Sequence, residues 1–273
     1  MCTCYDRECQ LFLNNQKLKK VQSAKFLGVV IDEALTWEAH LDYLMEKLNT
    51  CIVMIKRIKS SIPKSEYLKI YNALFMSHLS YCISCWGGIP EYKLQKIFAI
   101  QKRCIRLLFG ETLNRDHREY YETCARARTI EDHYAEKNFV LEPTKPLFNK
   151  YGILNVHNLY KYHTFMETLK ILKFSTPISV HNLISLLPKT DKLRLEVPRV
   201  KLNITKQNFV FKSTQIWNDM SSEIFEKCSP NENGLIVPGS TKDSDLSAST
   251  AFIKSRLKSH LLSAQKLGNT LNW

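Results

Sequence analysis

Apolar positions recur along this chain at helical spacing, and the recurrence divides it into elements. Trp37, Leu41, Leu44, Leu48, Cys51, Ile55 and Ile58 repeat at three- and four-residue steps, which predicts an amphipathic helix over 37–59. Thr36 is placed to cap it and Glu38 falls in its first turn. Ser60, Ser61 and Pro63 break the pattern. A second helix begins near Lys64, with Tyr67, Tyr71, Leu74, His78 and Cys82 as its stripe and Phe75 and Leu79 beside it, and it ends at Gly87-Gly88. A third runs from Pro90 to Phe109 and stops at Gly110. Three helices with short connections predict a small bundle over 37–110.

The flanks read differently. Leu11, Leu13 and then Asn14-Asn15 suggest a strand and a turn. Residues 25–32, Lys-Phe-Leu-Gly-Val-Val-Ile-Asp, form a β-rich run with a glycine inside it, so that 1–36 is expected to hold a hairpin with a long connection. Residues 111–142 are polar, carry an acidic excess and read as a helix, insertion or linker closed by Pro143 and Pro146. A fourth helix is expected over 156–174, with Leu159, Tyr162, His163, Met166 and Leu169 on one face. Leu193, Leu195 and Val197 alternate like a short edge strand before Pro198, and 207–211 reads as a second strand. Ile216, Trp217, Met220 and Ile224 predict a short helix, completing a C-terminal α+β region over 143–227. Residues 228–249 have loop composition, and a terminal helix follows over about 250–267. The expected fold class is mainly α: an N-terminal β-hairpin, a three-helix bundle, and a mostly helical C-terminal region with a few short strands.

Charge adds a partner to this picture. Lysine and arginine total 39 against 26 acids, giving +13. Most of the excess lies in 1–110 and 143–219. A chain of this sign seeks polyanions, although a basic surface also serves solubility. On the third helix Leu94, Ile97, Phe98, Gln101, Cys104, Ile105 and Leu108 share one side, while Lys96, Lys102, Arg103 and Arg106 fall within roughly a third of the circumference on the other. Lys56 and Arg57 extend the basic side from the first helix. Such a face can track phosphates, with arginine forking onto them. A solvated outer face would give the same pattern.

Several chemistries lack their residues. There is no Asp-Asp pair of the kind two-metal polymerases use, no phosphate loop and no nucleophile elbow. Asp243 and Asp245 sit in the expected loop. Cys2, Cys4 and Cys9 cluster, and Cys82 and Cys85 have a zinc-site spacing without a second half; Cys82 lies on an apolar stripe, so the pair is expected as buried small residues. No metal site and no small-molecule substrate are expected. Nine scattered cysteines and a charged N-terminus point to the cytoplasm or nucleus, not to secretion. Residues 70–90 carry no formal charge, but Asn72, Ser77, His78, Ser80 and Ser84 make them a core helix and not a membrane span.

The motifs also carry a resemblance. Residues 25–32, then Leu35, Thr36, Trp37 and His40, then Tyr71, Asn72, Tyr81, Trp86 and Gly87, then residues 100–106 (Ile-Gln-Lys-Arg-Cys-Ile-Arg) stand in the order and spacing seen near the end of a reverse transcriptase. The chain resembles the C-terminal part of the reverse transcriptases of non-LTR (LINE-type) retrotransposons. Residues 124–128, 144–148, 153–160 and Trp217-Asn218 are similar to the region that follows. The resemblance implies that Phe26, Leu27 and Gly28 form the last palm hairpin, near the primer terminus. It implies that 37–109 are the thumb, which grips template–primer duplex by backbone and groove shape. The catalytic aspartates of that family lie upstream of this hairpin, so the chain is expected to be a fragment without polymerase activity. It would need no cofactor itself, Mg²⁺ being expected only with the missing palm. Residual binding of an RNA–DNA duplex is the functional expectation. The rival expectation is a vestigial or protein-interaction helical protein with apolar surface exposed by the missing domain.

Overall fold

A computed structural model describes residues 12–110, 144–185, 187, 194–202, 205–225 and 243–267. The architecture is mainly α, with two small antiparallel strand pairs ahead of the helices. The chain divides into two compact units, 1–43 and 44–273.

In the first unit β1 (Phe12–Leu13) pairs with β2 (Gln16–Lys17), and β3 (Ser23–Phe26) pairs with β4 (Val29–Asp32). There are therefore two tight hairpins where one with a long connection was expected. Each turns on two residues with positive φ: Asn14 and Asn15 at 48° and 63°, Leu27 and Gly28 at 46° and 83°. Two such residues in succession make the turn whose twist matches that of paired strands. Gly28 meets the requirement freely. Leu27 does not, and a leucine held there costs about 1–2 kcal/mol.

Asp32 closes β4 and folds the chain onward. Its Oδ1 accepts the Thr36 N–H at 2.9 Å and the Thr36 hydroxyl at 3.2 Å; its Oδ2 accepts the Trp37 N–H at 2.8 Å. Burial works to raise this carboxyl, but the N–H donors outweigh it and hold the group below its ordinary value of 3.8. α1 (Glu38–Ile58) starts from this loop. His40, on its first turn, is buried and its Nδ1 accepts a long hydrogen bond from the Val30 N–H at 3.4 Å.

In the second unit the expected second helix is present but interrupted. α2 (Tyr67–Ile70) passes into a π-helical stretch, Tyr71–Met76, and then into α3 (Ser77–Ser80). The chain breaks at Tyr81 and Cys82 before α4 (Ile83–Trp86). Tyr67, Tyr71, Phe75, Leu79 and Ile83 are all buried and recur every four residues. Each such step overshoots a 3.6-residue turn by about 40°, and the wider π turn undoes the drift. α5 (Glu91–Phe109) follows, with Pro90 preceding it and Gly110 after it.

α6 (Lys145–Lys150) leads into α7 (Val156–Phe174), which has the expected bounds but not a single apolar face. Buried residues run right round it, from Leu159 and Tyr160 to Phe165, Met166, Leu169 and Leu172, while Tyr162 and His163 are half-buried. α7 is thus a central helix of the unit, packed against α3, α4, α5 and, after α8 (Ile178–His181), against α9 (Phe209–Phe225) and α10 (Asp243–Leu267). Phe165 stacks on Trp217 of α9 with ring centroids 4.7 Å apart.

Two buried glutamines clamp the segment leading into α7. Gln101 of α5 donates to the Leu154 carbonyl at 3.0 Å and to the Tyr71 hydroxyl at 3.0 Å, and accepts the Val156 N–H at 2.9 Å. Gln265 of α10 accepts the Asn155 N–H and donates to the Ile153 carbonyl, both at 3.1 Å. These satisfy backbone groups that a buried helix start leaves without partners.

Two expected strands are corrected. Residues 207–211 are not a strand: Asn208 accepts the Val210 N–H at 3.0 Å, and the helix containing Trp217 extends back to Phe209. Leu195 makes only an isolated bridge; its N–H and carbonyl both bond to the Asn218 side-chain amide at 2.8 Å. The last helix begins at Asp243, earlier than expected, so Asp243 and Asp245 lie in its first turn and not in a loop. The expected insertion over 111–142 and most of the loop over 228–249 lie outside the described residues.

Candidate nucleic-acid interface

The basic side chains sit on α1 and α5, whose apolar faces are turned inward. Leu48, Cys51 and Ile55 are buried from α1; Leu94, Ile97, Phe98, Gln101, Cys104, Ile105 and Leu108 are buried from α5. Burial on one side of each amphipathic helix leaves the charged side outward. Lys56, Arg57, Lys96 and Arg103 are exposed, and Lys102 and Arg106 are half-buried.

Cross-links tie the two helices. The Arg103 guanidinium donates to the Asn49 side-chain carbonyl. Lys59 donates to the Leu107 carbonyl at 2.5 Å. A cation at the last turn of α5 suits the carbonyls that a helix leaves free there. Asn49 and Lys56 are seven residues apart and share one face of α1, so Arg103 reaches across to the face that carries Lys56.

The six candidates are therefore not equivalent. Lys96 is exposed on α5, with the exposed Tyr92 one turn before it. Arg103 belongs to both the surface and the α1–α5 contact. Lys102 lies over the Phe98 ring, 4.6 Å from its centroid. Burial, and then the Arg106 charge, lower its ammonium from the ordinary 10.5. Asn49 and Lys59 were not singled out from the sequence. Lys59, three residues beyond Lys56, carries the only sequence signal of the two, as a base just past the end of a helix.

The other candidates are placed as follows. Phe26, Leu27 and Gly28 form the β3–β4 turn, with Phe26 64% and Leu27 74% exposed. Cys82 and Cys85 are not the buried stripe residues expected. Cys82 is half-buried in the break before α4, in left-handed conformation, and Cys85 is exposed. Leaving the stripe, rather than lying on it, is what frees them from the core. Cys51 and Cys104 are buried, and burial, followed by the nearness of Cys51, pushes the Cys104 thiol up to about 12. Among the described residues no group of three or more His, Cys, Asp or Glu gathers. No helix among them is long and apolar enough to cross a membrane.

Comparison with known proteins finds distant relatives. Over 108 residues, 38% of this chain and 12% of the relative, the chain is 26% identical to the RNA-directed DNA polymerase from mobile element jockey of Drosophila funebris. Over 116 residues, 39% of this chain and 13% of the relative, it is 25% identical to a probable RNA-directed DNA polymerase from transposon X-element of Drosophila melanogaster. The chain thus spans about an eighth of the length of these curated relatives. No family model matches it, and no solved structure matches it. The resemblance to the reverse transcriptases of non-LTR elements is borne out over that part of the chain, which is distantly related to a stretch of RNA-directed DNA polymerase.

Proposed function

We propose that this chain is part of the RNA-directed DNA polymerase of a non-LTR retrotransposon, and that 37–109 act as its thumb, holding an RNA–DNA duplex. The observation that carries the reading is the α1–α5 pairing through Arg103 and Asn49, which sets exposed bases from two helices opposite their buried faces. Lys56, Arg57, Lys96 and the half-buried Arg106 would neutralise phosphates and release counterions; Lys102 also lies over the Phe98 ring and Arg103 also bonds to Asn49, so both serve the fold as well as the surface. Such contacts read duplex shape and not base sequence. We further propose that the Phe26-Leu27-Gly28 turn is the palm-end hairpin. An exposed leucine kept in a costly backbone conformation supports a use beyond folding.

Polymerase chemistry on Mg²⁺ requires paired carboxylates, and the 273 residues contain no adjacent aspartates. The described residues gather no cluster that fits the ion, so no step of catalysis is assigned to this chain. Its expected output is binding without primer extension, in the cytoplasm or nucleus where template is found. Fluorescence anisotropy with a labelled RNA–DNA hybrid tests this: replacing Lys96 and Lys56 by glutamate should weaken binding at least about tenfold, and unchanged affinity would remove the interface. A second reading, docking to another protein, is favoured by the exposed Phe12, Leu13, Phe26, Leu27 and Leu35 of the first unit. It gains if the chain captures no duplex at any salt concentration.

A further inference from the structure

The break between α3 and α4 brings together two thiols that the proposed function does not use, Cys82 at the break and Cys85 in α4. Cys82 and Cys85 are three residues apart, and the Cys85 N–H bonds to the Cys82 carbonyl at 2.9 Å. A turn closed in this way brings its end Cα atoms within about 7 Å, and a disulfide needs about 4.4–6.8 Å. Cys82 takes φ 49° and ψ 26°, the left-handed conformation that breaks the helix and lifts both cysteines out of the apolar stripe. The buried residues on that stripe are instead Leu79, Ile83 and Trp86. The rest of the turn is fastened: the Trp86 indole donates to the Tyr81 carbonyl at 3.0 Å, and Gly87 and Gly88 lie against Tyr160 of α7. The other described cysteines, Cys51 and Cys104, are buried in the α1 and α5 core and take no part.

We propose that Cys82 and Cys85 form a reversible thiol–disulfide pair, oxidised by a small disulfide such as glutathione disulfide. The exchange balances in two steps. The thiolate of one cysteine attacks a glutathione sulfur, forming a mixed disulfide and releasing one glutathione as thiolate. The second cysteine, deprotonated, attacks the protein sulfur of that mixed disulfide and expels the second glutathione. Two electrons pass to glutathione disulfide, and the two thiol protons end on the two glutathione molecules. Closing the ring would lock the α3–α4 break and hold Trp86, Gly87 and Gly88 against α7.

Folding has already ordered Ile83 and Ser84 between the two thiols. The equilibrium for ring closure should therefore favour the folded chain over the urea-unfolded chain by at least about tenfold. The test uses the whole chain in glutathione buffers of graded ratio, with and without urea, followed by acid quench, alkylation and trypsin digestion. The peptide covering 70–93 contains Cys82 and Cys85 and no other cysteine. The expected result is a peptide lighter by two hydrogens that resists alkylation, formed in the native chain at a ratio where the unfolded chain still has two free thiols. C82S and C85S should each leave a peptide with at most one glutathione and no internal bond. Equal ratios with and without urea would overturn the proposal, as would two glutathiones on one peptide or pairing of either cysteine with a third.

Discussion

Gln101 should be among the most costly polar side chains to remove from this protein. It is fully buried, and its amide serves three partners from two other segments: the Tyr71 hydroxyl, the Leu154 carbonyl and the Val156 N–H. Methionine conserves its length and approximate volume but can make none of these bonds. Gln101→Met would leave two buried backbone groups and one hydroxyl without this partner. At about 1–3 kcal/mol for each buried group left unpaired, offset in part by the apolar side chain, the net loss should be about 3–5 kcal/mol. Against a total stability of about 5–15 kcal/mol, that is a large fraction.

Urea unfolding followed by circular dichroism measures it, with an unchanged denaturant slope confirming that the loss lies in stability. Gln101→Glu gives an internal check. It keeps an acceptor for the Val156 N–H, loses both donated bonds, and places a carboxylate in the core, so its deficit should shrink as acid protonates it. Gln265 grips the same segment through Asn155 and Ile153, so replacing both glutamines should give a non-additive loss. A Gln101→Met variant within about 0.5 kcal/mol of the parent would refute the clamp and show that the segment is held by packing alone.

Other perturbations test other parts of the account. Asp32→Ala removes the carboxylate from the loop that starts α1 and should cost about 2–4 kcal/mol, read as loss of protection in hydrogen exchange at Thr36 and Trp37. Because the Asp32 carboxyl is held low, its contribution is present above the ordinary 3.8 and should be lost as pH falls through the lower folded value. A Cβ on Gly87 would lie 2.4 Å from Cδ2 of Tyr160 and 2.6 Å from the Ile83 carbonyl oxygen; Gly87→Ala should therefore destabilise by about 1–3 kcal/mol in urea unfolding, and no change would place α4 elsewhere. Burial lowers the His40, His157 and His163 imidazoles below 6.5, although Glu91, 3.1 Å from His157, pulls that group the other way. The unfolded chain then binds more protons below 6.5, so the urea midpoint should fall between about pH 7.5 and about pH 5.5, and a flat profile would contradict neutral burial.

Periodicity made α1 and α5 legible because each has one wet side. α1, α5 and α7 end within a residue or two of their expected bounds. It failed where the chain departs from a 3.6-residue repeat. The π-helical stretch between Tyr71 and Met76 and the break at Cys82 both follow from a stripe of four-residue steps, which reads as an ordinary helix in the sequence. Residues 207–211 end in the β-prone run Phe209, Val210, Phe211, yet a cap from Asn208 and the burial of Ile216, Trp217 and Ile224 carry the helix back over them. α7 is buried all round, so a one-face reading of it found only part of the core.

The candidate bases were found as a set because they fall on the polar sides of α1 and α5, but their inequality was only partly legible. That Arg103 reaches Asn49 depends on how α1 and α5 pack, whereas Lys102 over Phe98 is a local i,i+4 pair within α5. The resemblance motifs gained physical meanings. Gly28 permits a turn, Asp32 folds a loop, Gly87 admits Tyr160 and Asn218 holds Leu195. Each is a residue whose replacement would be felt by the backbone.

The central claim is that the α1–α5 face meets phosphates. The salt dependence of affinity for an RNA–DNA hybrid tests it most directly. With Lys56, Arg57, Lys96 and Arg106 each neutralising about one phosphate, log affinity against log salt should fall with a slope of about −3 to −4. Lys96→Ala and Lys56→Ala should each reduce the steepness by about one. A slope near zero, or one that neither substitution changes, would contradict the interface.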